Sequence, residues 1–132
     1  MYGMFWGATS FNGDISKWNL GSVTIMYGMF CWATSFNGDI SKWDVSLVED
    51  MGRMFSNAKA FNSDVSKWDV SKVVKMDHMF WHAQSFEHAL CQDAWISSKA
   101  SKTDMFTGSH GSMPQRKCGP KFSSIKLSLI HI

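Results

Sequence analysis

Residues 54–78 read MFSNAKAFNSDVSKWDVSKVVKMDH, and residues 29–53 read MFCWATSFNGDISKWDVSLVEDMGR. Laid over each other, they agree at 14 of 25 positions. Residues 4–28, one period earlier, agree with 29–53 at 15 of 25. Met-Phe opens each unit at Met4, Met29, Met54 and Met79. Further columns follow at the same period: Ala8, Ala33, Ala58 and Ala83; Phe11, Phe36, Phe61 and Phe86; Trp18, Trp43 and Trp68. Self-similarity at a fixed period of this length marks a repeat architecture, in which one unit cannot bury its apolar face and stacked units can. Met1-Tyr2-Gly3 matches Met26-Tyr27-Gly28, so the chain opens within a repeat.

Two local patterns alternate inside the unit. In SKVVKMDHMFWHA (71–83), Val73, Met76, Met79, Phe80 and Ala83 form one apolar stripe at helical spacing. Ser46 and Ser71 stand where an N-cap belongs, and Glu49 completes a capping box with Ser46; Gly21 takes that position in the first repeat. The following stretch, F-N-x-D-[IV]-S-K-W-[DN]-[VL], reads as a turn and a short strand. The expectation is an α/β solenoid with one short helix and one short strand per 25-residue repeat. The 10 Met, 10 Phe and 7 Trp then become core ladders and not a cofactor box.

The consensus MFxxAxxFNxDISxWDVSxVxxMxxMF resembles the repeat of the BspA-like leucine-rich-repeat surface proteins, over residues 1–118. That resemblance implies a right-handed leucine-rich-repeat-like solenoid, a role in surface attachment or protein binding, a cell-surface or secreted location, and no catalytic residues. Full repeats occupy 4–28, 29–53 and 54–78, and an irregular capping unit occupies 79–118. In that unit Glu87, His88 and Ala89 replace the Asn, variable and Asp positions. Trp95 arrives two residues late and Met105-Phe106 one late. The stretch FEHALCQDAW…KCG resembles the closing unit of such arrays, which implies a Cys91–Cys118 disulfide and leaves Cys31 as a free thiol. Residues 119–132 form a non-repeat tail. Leu127–Ile132 also matches a translated sequencing adaptor, so 127–132 is set aside as a possible artefact.

Charge narrows the partner classes. The net charge of +2 divides unevenly. Residues 1–95 carry 7 Lys/Arg against 10 Asp/Glu, whereas 96–132 carry 6 against 1. The repeats are slightly acidic, which disfavours nucleic acid. No apolar run reaches the length of a transmembrane helix.

Few residues suggest chemistry. Asn12, Asn37 and Asn62 read as a structural ladder, since a stacked amide can both donate and accept. Asp14, Asp39 and Asp64 could hold calcium, but Lys17, Lys42 and Lys67 follow three residues on, and Asp readily bonds amides in turns; a structural or Lys-paired role is favoured. His78 and His82 have the i, i+4 spacing that can hold zinc on a helix, without a third ligand in view. No metal, cofactor or catalytic assignment is made. Trp6, Trp32 and Trp81 sit among variable positions and are candidates for an interaction surface with a protein or glycan. A binding or surface module and an architectural spacer both remain open. An exposed aromatic patch favours the first, a uniformly polar exterior the second.

Overall fold

The computed structural model describes residues 1–114, 116 and 118; the tail at 119–132, with its set-aside segment 127–132, lies outside the described residues. The repeats stack, but they are not built from a helix and a strand. Among the described residues the single helix, α1, is Asp93–Ile96, and no extended sheet forms. The expected α/β solenoid is therefore corrected: each layer is a succession of tight turns.

The reason is visible in the backbone. Two residues per layer, four apart, adopt the left-handed conformation: Gly3 and Gly7, Gly28 and Trp32, Arg53 and Asn57, His78 and His82, Asp104 and Gly108. A right-handed helix cannot pass through such residues. Alternate amides then divide their work. Met29, Cys31 and Ala33 donate to the carbonyls of Met26, Gly28 and Phe30 within the layer. Met26, Gly28, Phe30 and Trp32 donate to Asp50, Gly52, Met54 and Ser56 of the next layer. The same scheme recurs at Met76, His78, Phe80 and His82, which donate to Ser101, Thr103, Met105 and Thr107. This satisfies the backbone without a helix, as a buried backbone must be.

Among the described residues strand character is confined to isolated parallel bridges, Ile25 to Asp50, Asp50 to Lys75, Lys75 to Ser101, and Ala89 to Ser112. Lys75 lies in the stretch read as helix. The expected strand, by contrast, is a turn in which Trp43 N–H donates to Ile40 and Trp68 N–H to Val65. Ser46 and Ser71 cap no helix. Their amides and hydroxyls are held by Asp44 and Asp69.

Packing follows the columns. Met29, Met54 and Met79 are fully buried, as are Phe30, Phe55 and Phe80 and then Phe36, Phe61 and Phe86. One Phe ladder runs 5–30–55–80–106 with ring centroids 5.4, 5.6, 5.5 and 5.4 Å apart. A second runs 11–36–61–86 at 5.7, 6.2 and 5.9 Å. Within each layer the two ladders touch, at 4.2 Å for Phe30–Phe36 and 3.9 Å for Phe55–Phe61. Offset stacking of this kind adds about 1 kcal/mol per pair beyond burial.

The last unit absorbs its irregular spacing. α1 takes up the two extra residues before Trp95, and Trp95 still reaches its post. Its Nε1–H donates to Val65 O at 3.2 Å, as Trp43 does to Ile15 and Trp68 to Ile40 at 3.0 Å each. Lys102 then turns back and donates to Ser98 and Ala100 carbonyls at 2.8 and 3.0 Å. Burial lowers the pKa of Lys102.

Polar ladders and the candidate interaction surface

Asn12, Asn37 and Asn62 form a directional ladder. Asn37 N–H donates to Asn12 Oδ1 at 2.8 Å, Asn62 N–H to Asn37 Oδ1 at 2.7 Å, and Glu87 N–H to Asn62 Oδ1 at 3.1 Å. Each carboxamide thus satisfies the amide one layer on. Where the fourth unit lacks Asn, Glu87 offers only its backbone, and the ladder ends.

The Asp column serves its own turn. Asp14, Asp39 and Asp64 accept the amides of Ser16, Ser41 and Ser66 at 3.0, 3.0 and 2.9 Å. The Ser16 and Ser41 hydroxyls add bonds of 2.6 Å. Those hydroxyl and amide bonds hold the Asp14 and Asp39 carboxyls below the usual carboxylate value, with a smaller contribution from Lys17 and Lys42. At Asp64 burial pushes upward, but the Ser66 bonds and the neighbouring His88 outweigh it. His88 sits with Nδ1 at 4.0 Å from Asp64 and Nε2 at 2.9 Å from Asn62 O. Among the described residues no Lys–Asp ion pair closes to 4 Å, and no group of three or more His, Cys, Asp or Glu side chains could hold a metal.

A second acidic column escaped the sequence reading. Asp44 and Asp69 repeat the Asp-Ser turn one corner further on, and Asn19 does the same for Gly21 N–H at 3.1 Å. Asp77 bridges to the last layer, accepting Ser101 Oγ at 2.8 Å and Thr103 N–H at 2.7 Å. The D-V-S spelling of 44–46 and 69–71 carried the signal; reading its serines as helix caps concealed it.

His78 and His82 share no helix face, since both are left-handed. His78 Nε2 lies 3.8 Å from Asp104, and the His82 ring stacks on Trp81 at 3.8 Å. Cys31 is buried, and burial pushes its thiol up to about 11. Cys91 and Cys118 are joined in a disulfide with Cα atoms 4.9 Å apart. Cys118 N–H also donates to Cys91 O at 2.7 Å.

The aromatic candidates line the left-handed strip. Trp6 is 46% exposed and lies over Gly28, where a side chain would collide with its ring. Trp6 and Tyr2 flank Tyr27, at 6.3 and 5.2 Å between centroids. Trp32 is 45% exposed, with Lys59 Nζ 5.9 Å above its ring. Trp81 is half-buried against His82. Cys31 and Ser56, which share a column with Trp6 and Trp81, are buried. The structure thus places two exposed tryptophans on neighbouring layers and the third further along the same strip.

Stacked turns, aromatic ladders and one polar ladder define a repeat protein whose side-chain chemistry goes chiefly into holding layers together. The chain belongs to the family described as Mycoplasma protein of unknown function, DUF285, whose model matches residues 1–115. No curated protein and no solved structure matches it. Among the described residues no helix is long and apolar enough to cross a membrane.

Proposed function

We propose that this chain is a non-catalytic binding module that presents an aromatic strip to a protein or glycan outside the cell. The observation that carries this is the pair Trp6 and Trp32, nearly half exposed and fixed on adjacent layers. Large rings held rigidly by the backbone lose little entropy on binding, which suits them as anchors. The alternative of a plain spacer fits a uniformly polar exterior, whereas the first two layers of this strip expose Trp6 and Trp32; its later layers carry Arg53, Asn57, His78 and His82. The resemblance to BspA-like surface repeats supports surface attachment, and a disulfide at the C-terminal end suits an oxidising location.

The test is a glycan array and a panel of immobilised extracellular proteins, probed with the wild-type chain and with a Trp6→Ala/Trp32→Ala variant. Binding that falls at least tenfold in the variant, with an unchanged melting temperature, supports the reading. Equal signals for the two chains, or none for the wild type on any surface, would sink it.

A further inference from the structure

Asn37 and Asn62 hold equivalent posts in the amide ladder, but different residues follow them: Gly38 after the first, Ser63 after the second. An asparagine followed by glycine is open to attack by its own chain. The amide nitrogen of the next residue can bond to the carboxamide carbon Cγ, and glycine has no Cβ to obstruct the closing ring. A fold prevents this in two ways. It ties up the attacking amide as a hydrogen-bond donor, or it buries the carboxamide.

Neither protection operates at Asn37. The residue is exposed, in an interior layer between the first and third repeats. The Gly38 amide donates to nothing among the described residues. An amide free of an acceptor on the protein is not pinned in its resting position. Asn37 Oδ1 meanwhile receives the Asn62 N–H at 2.7 Å. That donor stands where negative charge gathers when nitrogen adds to Cγ, and a fixed N–H at a developing oxyanion lowers the barrier. The bond that joins two layers therefore also polarises the carboxamide. At Asn62 the matching donor, Glu87 N–H, is further away at 3.1 Å. Ser63 brings a Cβ, and its Oγ is held by Ile40 N–H at 3.2 Å.

We propose that Asn37 is a self-modification site, which deamidates in the folded chain at least as readily as in the unfolded one. Gly38 N gives its proton to solvent and bonds to Asn37 Cγ. The Cγ–Nδ2 bond breaks, and Nδ2 takes a proton from water and leaves as ammonia. Water then opens the cyclic imide. Opening at Cγ gives aspartate, and opening at the main-chain carbonyl of residue 37 gives isoaspartate. The sum is asparagine plus water to acid plus ammonia, with no oxidant or cofactor. Each event turns a neutral side chain into a carboxylate, so the formal net charge falls from +2 to +1. Aspartate keeps an oxygen for Asn62 N–H. Isoaspartate adds a methylene to the main chain between Phe36 and Gly38 and displaces the acceptor, so the ladder breaks there.

Peptide mapping by mass spectrometry tests this on the full chain, incubated at neutral pH and body temperature both folded and in guanidinium. Gly38→Ser, which borrows the residue of the third repeat, is run beside it, with melts to check its fold. Acid is expected at Asn37 in the folded wild type at least as fast as in guanidinium, and at least tenfold faster than at Asn62. Gly38→Ser is expected to slow Asn37 at least tenfold, and alkaline buffer to speed it in the wild type. A folded rate below the unfolded one means that the fold protects Asn37, and overturns the proposal. So does a Gly38→Ser rate equal to that of the wild type, since Gly38 would then not be the attacking group. If that variant melts early, the two sites in one wild-type molecule decide: equal rates at Asn37 and Asn62 overturn it too.

Discussion

The first and last layers of this stack are built from the same columns and end differently. At the first, Tyr2 is 70% and Met4 53% exposed, and Phe11 and Trp18 are only partly covered. At the last, Met105 is 3% exposed, α1 and Trp95 close one corner, and the Cys91–Cys118 bridge straps another. Identical residues therefore have different energetic weight according to how many layers flank them. In a stack each layer touches only its neighbours, so stability is close to a sum of interface terms.

The sharpest way to break the comparison is a matched pair. Phe55→Ala removes a ring stacked on both sides and should cost about 4 kcal/mol. Phe5→Ala removes a half-covered ring stacked on one and should cost about 1 kcal/mol. Urea melts of the two variants decide it, and equal losses would contradict a bare first layer.

Next in size is the strap. Cys91→Ser opens a loop with a sequence separation of 27, and the loss of chain restriction should cost about 3 kcal/mol. Hydrogen exchange should rise at residues 86–112 and stay unchanged at 26–36. Peptide mapping without reductant should first show the linked pair, and two free thiols there would remove the premise.

Smaller is the ladder. Asn37→Ala leaves Asn62 N–H without its acceptor and should cost about 1 kcal/mol. Asn62→Ala strands only Glu87, where the fourth unit already departs from the pattern, and should cost less.

Smallest is the acid response. The Asp14, Asp39, Asp44 and Asp69 carboxyls are all held below their ordinary value of 3.8 by Ser bonds to the ionised form. A lowered folded-state value stabilises the fold above 3.8, and that contribution is lost as pH falls through the folded value. The melting temperature should be flat from pH 7 to about 5 and decline below about 4. Asp39→Asn and Asp44→Asn together should make that decline shallower.

How much of this was legible turns on particular residues. The period, the columns, the irregular last unit and the buried ladders follow from identity at fixed spacing, and Trp95 keeps its role despite its shift. Local conformation did not follow. Val73, Met76, Met79 and Ala83 return to one side every three or four residues whether the chain is helical or a row of tight turns, so the stripe could not separate them. The clue was glycine at 3, 7 and 28, since left-handed backbone suits it. Asn57, His78, His82 and Asp104 are residue types that enter this conformation more readily than most, a faint signal, while Trp32 and Arg53 hold it with no such cue. Trp6 and Trp32 were legible as variable positions, but the backbone bonds that join one layer to the next were not. Backbone groups have no letter in the sequence.

The hydrogen bonds of the left-handed strip all point one way, from the earlier layer's amide to the later layer's carbonyl. Their peptide dipoles add, and bonds of opposite sense at Glu49, Val74 and Ser101 cancel only part of the sum. The molecule is thus electrically polar along its length, in the reverse sense of an α-helix, whose opening turn bares amides. Here the opening layer is the negative pole. The Met1 ammonium, which donates to Ile25 O at 3.0 Å, is fixed close beside it.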